Sequence, residues 1–534
     1  LSATRRFDVA IVGSGFAGSL LALACRRLGR SVVVIERGAH PRFAIGESSS
    51  PLANLLLEEL CDRYDLSRIR PLSAWGSWQR SFPEIPCGLK RGFTFYGHRP
   101  GHPFAGATDR SDQLLVAASP RDEVADTHWH RAEFDAFLAG EARAEGAELL
   151  DRTRLDSIER TDGGFQLEGE RAGRPVSVAA RFVADASGPG GCLQRFLGLP
   201  ASGFPGLPAT RGLYTHFTGV SRLEEIGIFA SPEFPPYPVD DAAVHHVFEG
   251  GWIWVLRFNN GITSAGVAAT PALADEVGLA EGAPAWDRLL ARLPTVQRQF
   301  AGARPALPFV FRDPLPFRSG RAAGENWALL PSAAAFVDPL LSTGFPLVLL
   351  GILRLAEAIE TSWGRDSFAA RLESYEKATL AEADAAALLV SALFASFGDF
   401  PLFAELSKLY FAAASFTEAA RRLSPGAPLP GFLRAGDPVF GPALRDCCET
   451  VLRAATRGGL ASREREDLLG KIARAIKPLD IAGLSDRTRR NWHPVLAEDL
   501  RAGAAKLGVG AAAVEAFLDR SGFFAWSVPG NCLR

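Results

Sequence analysis

Near the start of the chain the apolar positions fall in short runs with sharp polar boundaries. Residues 7–12 (FDVAIV) are an apolar, strand-length run that passes at once into Gly13-Ser14-Gly15-Phe16-Ala17-Gly18 and then into a helical run over 19–28. A second strand-like run, 31–35, ends on Glu36. Strand, glycine turn, helix and strand is the order that gives a GxGxxG its meaning. Gly13 permits the tight turn, Gly15 lets backbone approach a pyrophosphate at the helix N-terminus, and Gly18 lets helix and strand pack closely, with Phe16 and Ala17 opening the helix between them. Glu36 is placed to accept hydrogen bonds from an adenosine ribose.

The strand-into-turn pattern returns twice. Residues 180–184 run into Asp185-Ala186-Ser187-Gly188, and residues 327–330 enter a turn through Asp338-Pro339 that leads to a helix from about Thr343, beginning Gly344-Phe345. Between these, 215–220, 245–248, 252–258 and 262–268 read as antiparallel strands of one sheet. From about Ser367 the chain is rich in Ala, Leu and Glu with helical spacing. Its apolar stretch 385–416 is suited to packing, to roofing a pocket or to a dimer contact. After Glu36 comes an irregular segment, 37–48, too long for a simple connection and suited to lying over a cofactor; Arg37, Arg42, Ile45, Gly46, Glu47 and Ser48 are its candidate contacts. Three strand-to-turn approaches spread over 345 residues imply a ligand larger than a mononucleotide, and FAD fits better than NAD.

Composition narrows the partners. The 534 residues are 47% hydrophobic and 22% charged, with 58 Lys and Arg against 60 Asp and Glu. A net charge of −2 without long runs of one sign lacks the basic footprint of nucleic-acid binding. The seven cysteines, Cys25, Cys61, Cys87, Cys192, Cys447, Cys448 and Cys532, show no CxxC spacing, so free thiols in a reducing cytoplasm are expected and no metal site is. No signal-peptide pattern precedes the first strand, and the most apolar run, 344–353, is broken by Arg354 before membrane-spanning length, so no transmembrane segment is expected. The histidines offer no zinc spacing; His216 or His246 could act as a general base. No nucleophile elbow, Walker loop or second complete dinucleotide fingerprint occurs.

The order GSGFAGS, IGESSSP, HRAEFDAFL, VADASGPGG and FVDPLLSTG resembles the flavin-dependent halogenase branch of the p-hydroxybenzoate hydroxylase-fold flavoproteins over residues 7–360, and more loosely the geranylgeranyl reductases. The resemblance implies an α/β fold: a Rossmann-like FAD-binding domain (1–84, 125–200, 306–366), an interleaved antiparallel-sheet substrate domain (85–124, 201–305) and a C-terminal helical region (367–534). It adds Arg131 to the cofactor contacts. It also implies a chloride or bromide on the amides of Ser342, Thr343 and Gly344, and Lys90 as the lysine that orients hypohalous acid. Trp252 and Trp254 resemble the first half of the halogenase Trp-x-Trp-x-Ile-Pro signature, with Leu256-Arg257 where Ile-Pro would stand, and imply a substrate pocket there. Leu341 occupies the position of the glutamate in tryptophan halogenases, which points away from indole and towards a phenol- or pyrrole-type aromatic substrate. Reduced flavin would come from a separate flavin reductase. An FAD monooxygenase, a geranylgeranyl-reductase-like enzyme and a non-catalytic flavin-binding protein remain open on these residues.

Overall fold

The computed structural model of the protein describes residues 5–227, 233–428, 431–521 and 523, which leaves Cys532 outside the described residues. Two sheets carry the architecture. The first is built around β1 (Arg5–Val12), flanked in parallel by β2 (Val32–Ile35), which continues to β7 (Glu148–Leu150), and by β10 (Arg174–Asp185), which continues to β15 (Trp327–Leu329). β8 (Thr153–Thr161) and β9 (Gly164–Arg171) extend β10 as an antiparallel meander. All four residues of β2 and the last four of β1 are buried, as expected for parallel strands covered on both faces. Helix α1 (Phe16–Arg27) connects β1 to β2 and packs beside α3 (Arg131–Ala144) and α4 (Gly344–Ser362).

Register decides where a ligand can sit. Val12 pairs with both Ile35 and Asp185, and Asp185 with Leu329. The C-terminal ends of four parallel strands therefore stand in one row, and their turns open on the same side, the place where open α/β sheets bind ligands.

The second sheet holds β4 (Gly92–Gly97), β5 (Gln113–Ala117), β11 (Arg211–Thr218), β12 (Ala243–Phe248), β13 (Gly251–Arg257) and β14 (Thr263–Ala269), in the order β11-β14-β13-β12-β4-β5. The four runs anticipated between 215 and 268 form it, with β11 starting four residues earlier than expected. The sheet also takes in Val310–Arg312 and Trp492–His493, outside the residues assigned to it from the sequence. Register pairs His245 with Trp254 and Val247 with Trp252. Side chains alternate along a strand, so Ala243, His245, Val247, Trp252, Trp254 and Leu256 share the face turned to the first domain's core, while Val244, Phe248, Ile253 and Val255 pack in the core behind the sheet. A two-stranded ribbon of β3 (Cys87–Lys90) and β6 (Asp126–Trp129) links the layers and sets Lys90 opposite Asp126.

The C-terminal chain is helical. α2 (Pro51–Arg63) packs against α4 and against α6 (Phe400–Leu423), and α4 also packs against α5 (Ser367–Ala395). α5 is long and apolar enough by composition to cross a membrane, yet most of its apolar window is buried inside the protein. The stretch 385–416 thus packs rather than spans: Phe403 and Phe411 sit edge-on to Phe95 at 5.5 and 6.2 Å between ring centroids. Phe400 covers Gly97, where a Cβ would lie 2.6 Å from the ring. Gly97→Val therefore overpacks the α6–β4 contact; we expect a loss of about 1–3 kcal/mol in urea unfolding, and unchanged stability refutes the contact.

Candidate active site

A cavity of about 1040 Å³ opens at the row of strand ends and runs to the face of the second sheet that carries the tryptophans. That is at the upper end of small-molecule sites, roughly 300–1,000 Å³. Its first wall is the glycine turn. Gly13 and Gly18 make that turn without lining the cavity: Gly13 has φ +103°, and a Cβ on Gly18 would lie 2.0 Å from the Gly13 carbonyl oxygen. Gly15, Phe16 and Ala17 do line it. Around Gly15 the nearest atoms to a Cβ are side-chain ends, Asp135 Oδ2 at 3.4 Å and the guanidinium nitrogens of Arg131 and Arg42 at 3.5 and 3.7 Å. Two cations at the N-terminus of α1 form a cradle for a diphosphate.

Asp135, which the sequence reading missed, organises that cradle. Its carboxylate accepts from Arg131 Nε (2.8 Å) and Nη2 (2.7 Å) and from the Phe16 N–H (3.2 Å). The signal was present in the i,i+4 spacing of Arg131 and Asp135 on one helix face. Glu36 ends β2 off the cavity wall, accepting from Ser14 N (3.0 Å), Ser14 Oγ (3.1 Å) and Gly38 N (2.8 Å). Burial pushes its carboxyl up, but these bonds and the Arg42 guanidinium outweigh it and hold Glu36 below the ordinary carboxylate range.

The second wall is the strap 42–48. Arg131 Nη1 donates to the carbonyls of Ile45 (3.2 Å) and Gly46 (3.0 Å), Trp129 N–H donates to Glu47 O (2.6 Å), and Ser48 bridges to His128. Arg37, Arg42, Ile45, Gly46, Glu47 and Ser48 all line the cavity. Glu47 is 1% exposed; one carboxylate oxygen accepts from His216 Nε2 at 2.9 Å and the other has no partner among the described residues.

The third wall comes from the later turns. Gly188 lines the cavity, whereas Asp185 does not. The Asp185 carboxylate is spent on Ser187 N (2.9 Å) and Oγ (2.6 Å) and on Leu193 N (2.7 Å), so the expected cofactor contact is corrected to a brace for the turn that presents Gly188. Asp338 lines the cavity with Oδ1 held by Leu340 N (3.0 Å) and Trp252 Nε1 (3.2 Å), while Oδ2 has no partner among the described residues. Burial pushes its carboxyl up to about 7.

Ser342, Thr343, Gly344 and Phe345 follow on the same wall. Ser342 adopts φ +53°, uncommon for a side chain with a Cβ, and its N–H donates to Pro339 O at 3.0 Å. Of the three amides expected to hold an anion, that of Ser342 is therefore already bonded. The Thr343 and Gly344 amides, at the start of the 19-residue helix α4, remain. They stand at its positive end.

Lys90 is not on the cavity surface. It is 0% exposed, behind Ser48 and Ser342, and its ammonium donates to Ser48 Oγ (2.9 Å), Ser49 O and Ser342 Oγ (3.4 Å) while lying 3.7 Å from the Phe93 ring centroid. Burial pushes Lys90 down to about 7, opposed by the charge of Asp126, whose own carboxyl burial pushes well up. Trp252 and Trp254 line the cavity from β13, 5.5 Å apart, with His245 5.2 Å from Trp252. Strand parity corrects the histidine candidates. His246 lies in a network of His98 (2.9 Å) and Gln299 (3.0 Å) that leaves the cavity to its neighbour, and burial pushes it down to about 4. His245 reaches the cavity, but burial, with Lys90 beside it, pushes it down to about 3, too weak for a base near neutrality. His216 is committed to Glu47.

Glu47 Oε2, Asp338 Oδ2, Gln194 Nε2 and Thr379 Oγ1 are buried, lack partners among the described residues and belong to cavity-lining residues. Buried polar atoms in native proteins have partners, so these walls fit a long ligand that is polar at intervals, and FAD is such a ligand. A parallel sheet with a diphosphate cradle, a strap and an antiparallel sheet closing the far end defines a flavoprotein. The FAD dependent oxidoreductase family model matches residues 8–327, and the chain belongs to that family, among its flavin-dependent halogenases. It is 30% identical over 429 residues to the tetracycline 7-halogenase of Kitasatospora aureofaciens, covering 77% of this chain and 74% of that one. It is 28% identical over 417 residues to the monodechloroaminopyrrolnitrin halogenase PrnC of Pseudomonas fluorescens, covering 76% and 71%. The crystal structure of halogenase PltM in complex with phloroglucinol and FAD superposes with a TM-score of 0.79 at 26% identity, covering 91% of this chain and 99% of that one. The protein is an FAD-dependent oxidoreductase with halogenase-like function.

Two outcomes follow from the walls. Gly15→Ala meets only side-chain ends, none closer than 3.4 Å, so it should keep the unfolding midpoint and weaken FAD binding about tenfold or more by fluorescence titration, whereas Gly18→Ala, facing backbone, should lose both. Equal behaviour of the two variants refutes the assignment. Asp338 has its folded pKa raised, so the native state holds more protons than the unfolded one between about pH 4 and 7 and stability falls as pH rises through that window. In protein without flavin, Asp338→Asn should remove up to one proton from that slope, about 1.4 kcal/mol per pH unit, in denaturant melts at pH 4.5 and 7; an unchanged slope refutes it.

Proposed function

We propose that the protein halogenates a small phenol- or pyrrole-type aromatic compound, with FAD along the cavity and a chloride or bromide on the Thr343 and Gly344 amides. The observation that carries this is the placement of the Lys90 ammonium, 2.9 Å from Ser48 Oγ on the strap and 3.4 Å from Ser342 Oγ on the anion-binding turn. When bound, reduced FAD with dioxygen supplies the oxidising power that turns halide into hypohalous acid. The chain's own part is positional. Arg42 and Arg131 neutralise the diphosphate, with Glu36 holding the turn beside them, and the residues of the strap cover the ring system. Thr343 and Gly344 hold the anion, and Lys90 hydrogen-bonds the hypohalous acid once Ser48 or Ser342 gives up its bond to the ammonium, so that its halogen end meets the substrate.

Trp252 and Trp254 close the aromatic end of the cavity. A phenol or pyrrole is favoured because the structural relative is named with phloroglucinol and other relatives with pyrrole-2-carbonyl carriers, and because Leu341 puts no carboxylate before Ser342. Residues 1–84, 125–200 and 306–366 would serve as the FAD-binding domain, 85–124 and 201–305 as the substrate domain, and 367–534 as the helical cover. A separate flavin reductase in the cytoplasm would supply reduced flavin, since the sequence carries one dinucleotide fingerprint.

Lys90→Met keeps the volume of the stem and removes the ammonium. Supplied with reduced FAD, O₂, bromide and a phenol and pyrrole panel, the variant should still bind FAD and reoxidise it, while brominated product measured by mass falls on the order of 10²-fold. Equal bromination removes Lys90 from the site, and product formed without halide replaces halogenation with oxygenation.

A further inference from the structure

Halide oxidation in this cavity consumes a proton. The balance is FADH₂ + O₂ + X⁻ + H⁺ → FAD + HOX + H₂O, in which dioxygen takes two electrons from the flavin and two from the halide. Without halide, FADH₂ + O₂ → FAD + H₂O₂ needs none. Glu47, Asp338 and Thr343 on the cavity walls are buried, so the extra proton needs a route.

We propose that Glu47, His216, His130 and Glu133 form that route, a proton relay from solvent to the cavity. Glu47 is its inner end: it lines the cavity, it is 1% exposed, and its Oε2 has no partner among the described residues. Its Oε1 meets His216 Nε2 at 2.9 Å. The His216 ring lies 5.1 Å from that of His130, centroid to centroid, and His130 Nε2 is buried without a partner among the described residues. One imidazole reorientation or one water spans that gap. His130 Nδ1 is hydrogen-bonded to Glu133, whose side chain is 42% exposed and forms the outer end.

The surroundings keep the path narrow. Phe43 stands edge-on to His216 at 4.7 Å, and Phe258 edge-on to His130 at 4.8 Å. Apolar rings beside both imidazoles leave few other sites for a proton. Arg131 and Asp135, on the helix that His130 precedes, are committed to each other and to the strap carbonyls. Backbone ties fix the spacing: Trp129 N–H bonds Glu47 O at 2.6 Å, and Trp129 directly precedes His130. Each hop moves one proton: Glu47 donates into the cavity and takes a proton from His216, which is replenished by His130 and then by Glu133 from water.

This relay rests on the halogenase reading, and proton counting separates the two. A pH-indicator dye in weakly buffered solution, followed by stopped flow as reduced FAD-loaded protein meets O₂, should show one more proton taken up per flavin with bromide than without. In His216→Gln and His130→Ala the bromide-linked uptake should slow about tenfold or more, with imidazole restoring it in His130→Ala. Glu133→Gln, at an exposed position that leaves the core intact, should slow it less. In protein without flavin, Glu133→Gln should shift the imidazole NMR titration of His130 and, through it, of His216. Bromide-linked uptake at the unaltered rate in both histidine variants overturns the relay, as does a His216 titration that ignores Glu133. The absence of extra uptake in the unaltered protein overturns the halogenase reading beneath it.

Discussion

An ammonium in a protein interior must be hydrogen-bonded or lose its charge, and the bonds that Lys90 finds join segments far apart in sequence. It stands on the ribbon between the two sheets, and its acceptors belong to the strap and to the turn that starts α4. Any shift of strap against turn stretches one of those bonds. The relative placement of the strap and the turn that starts α4 is thus fixed through one buried nitrogen. Ser342 in turn holds a left-handed backbone conformation that costs about 1–3 kcal/mol, and the bond to Lys90 is one of the contacts that offset it.

Acidic and basic groups are sorted by depth. Guanidiniums gather where phosphates belong, while the groups near the aromatic end, His245 and Asp338, are biased by burial towards their neutral forms. The Trp252 N–H on Asp338 also ties the second sheet to the first domain's turn with a neutral bond in place of an ion pair.

How much of this is legible in the sequence depends on the range of the interaction. The glycine turn could be read because strand, turn and helix are adjacent, and the tryptophans could be placed together because a strand alternates with period two. The choice between His245 and His246 needs the absolute phase of that alternation, which is set by pairing with β13 and β4. Asp185 reads as a ligand contact because an acid after a strand often is one, yet its acceptors are filled by Ser187 of its own turn and by a helix that starts seven residues on. The depth of Lys90 and the meeting of Glu47 with His216, 169 residues apart, depend on how two sheets and a strap stack. No local pattern encodes that.

The cavity wall also includes Thr379, Glu382 and Ala383 of α5. Glu382 is pinned there by two bonds from Arg354 of α4, both 2.7 Å, and by one from the Phe432 N–H at 2.8 Å. On the ribosome the nucleotide turn emerges well before α5, although α5 supplies part of the vessel that turn serves. A chain still being synthesised therefore has the grip for a dinucleotide long before it can seal one in.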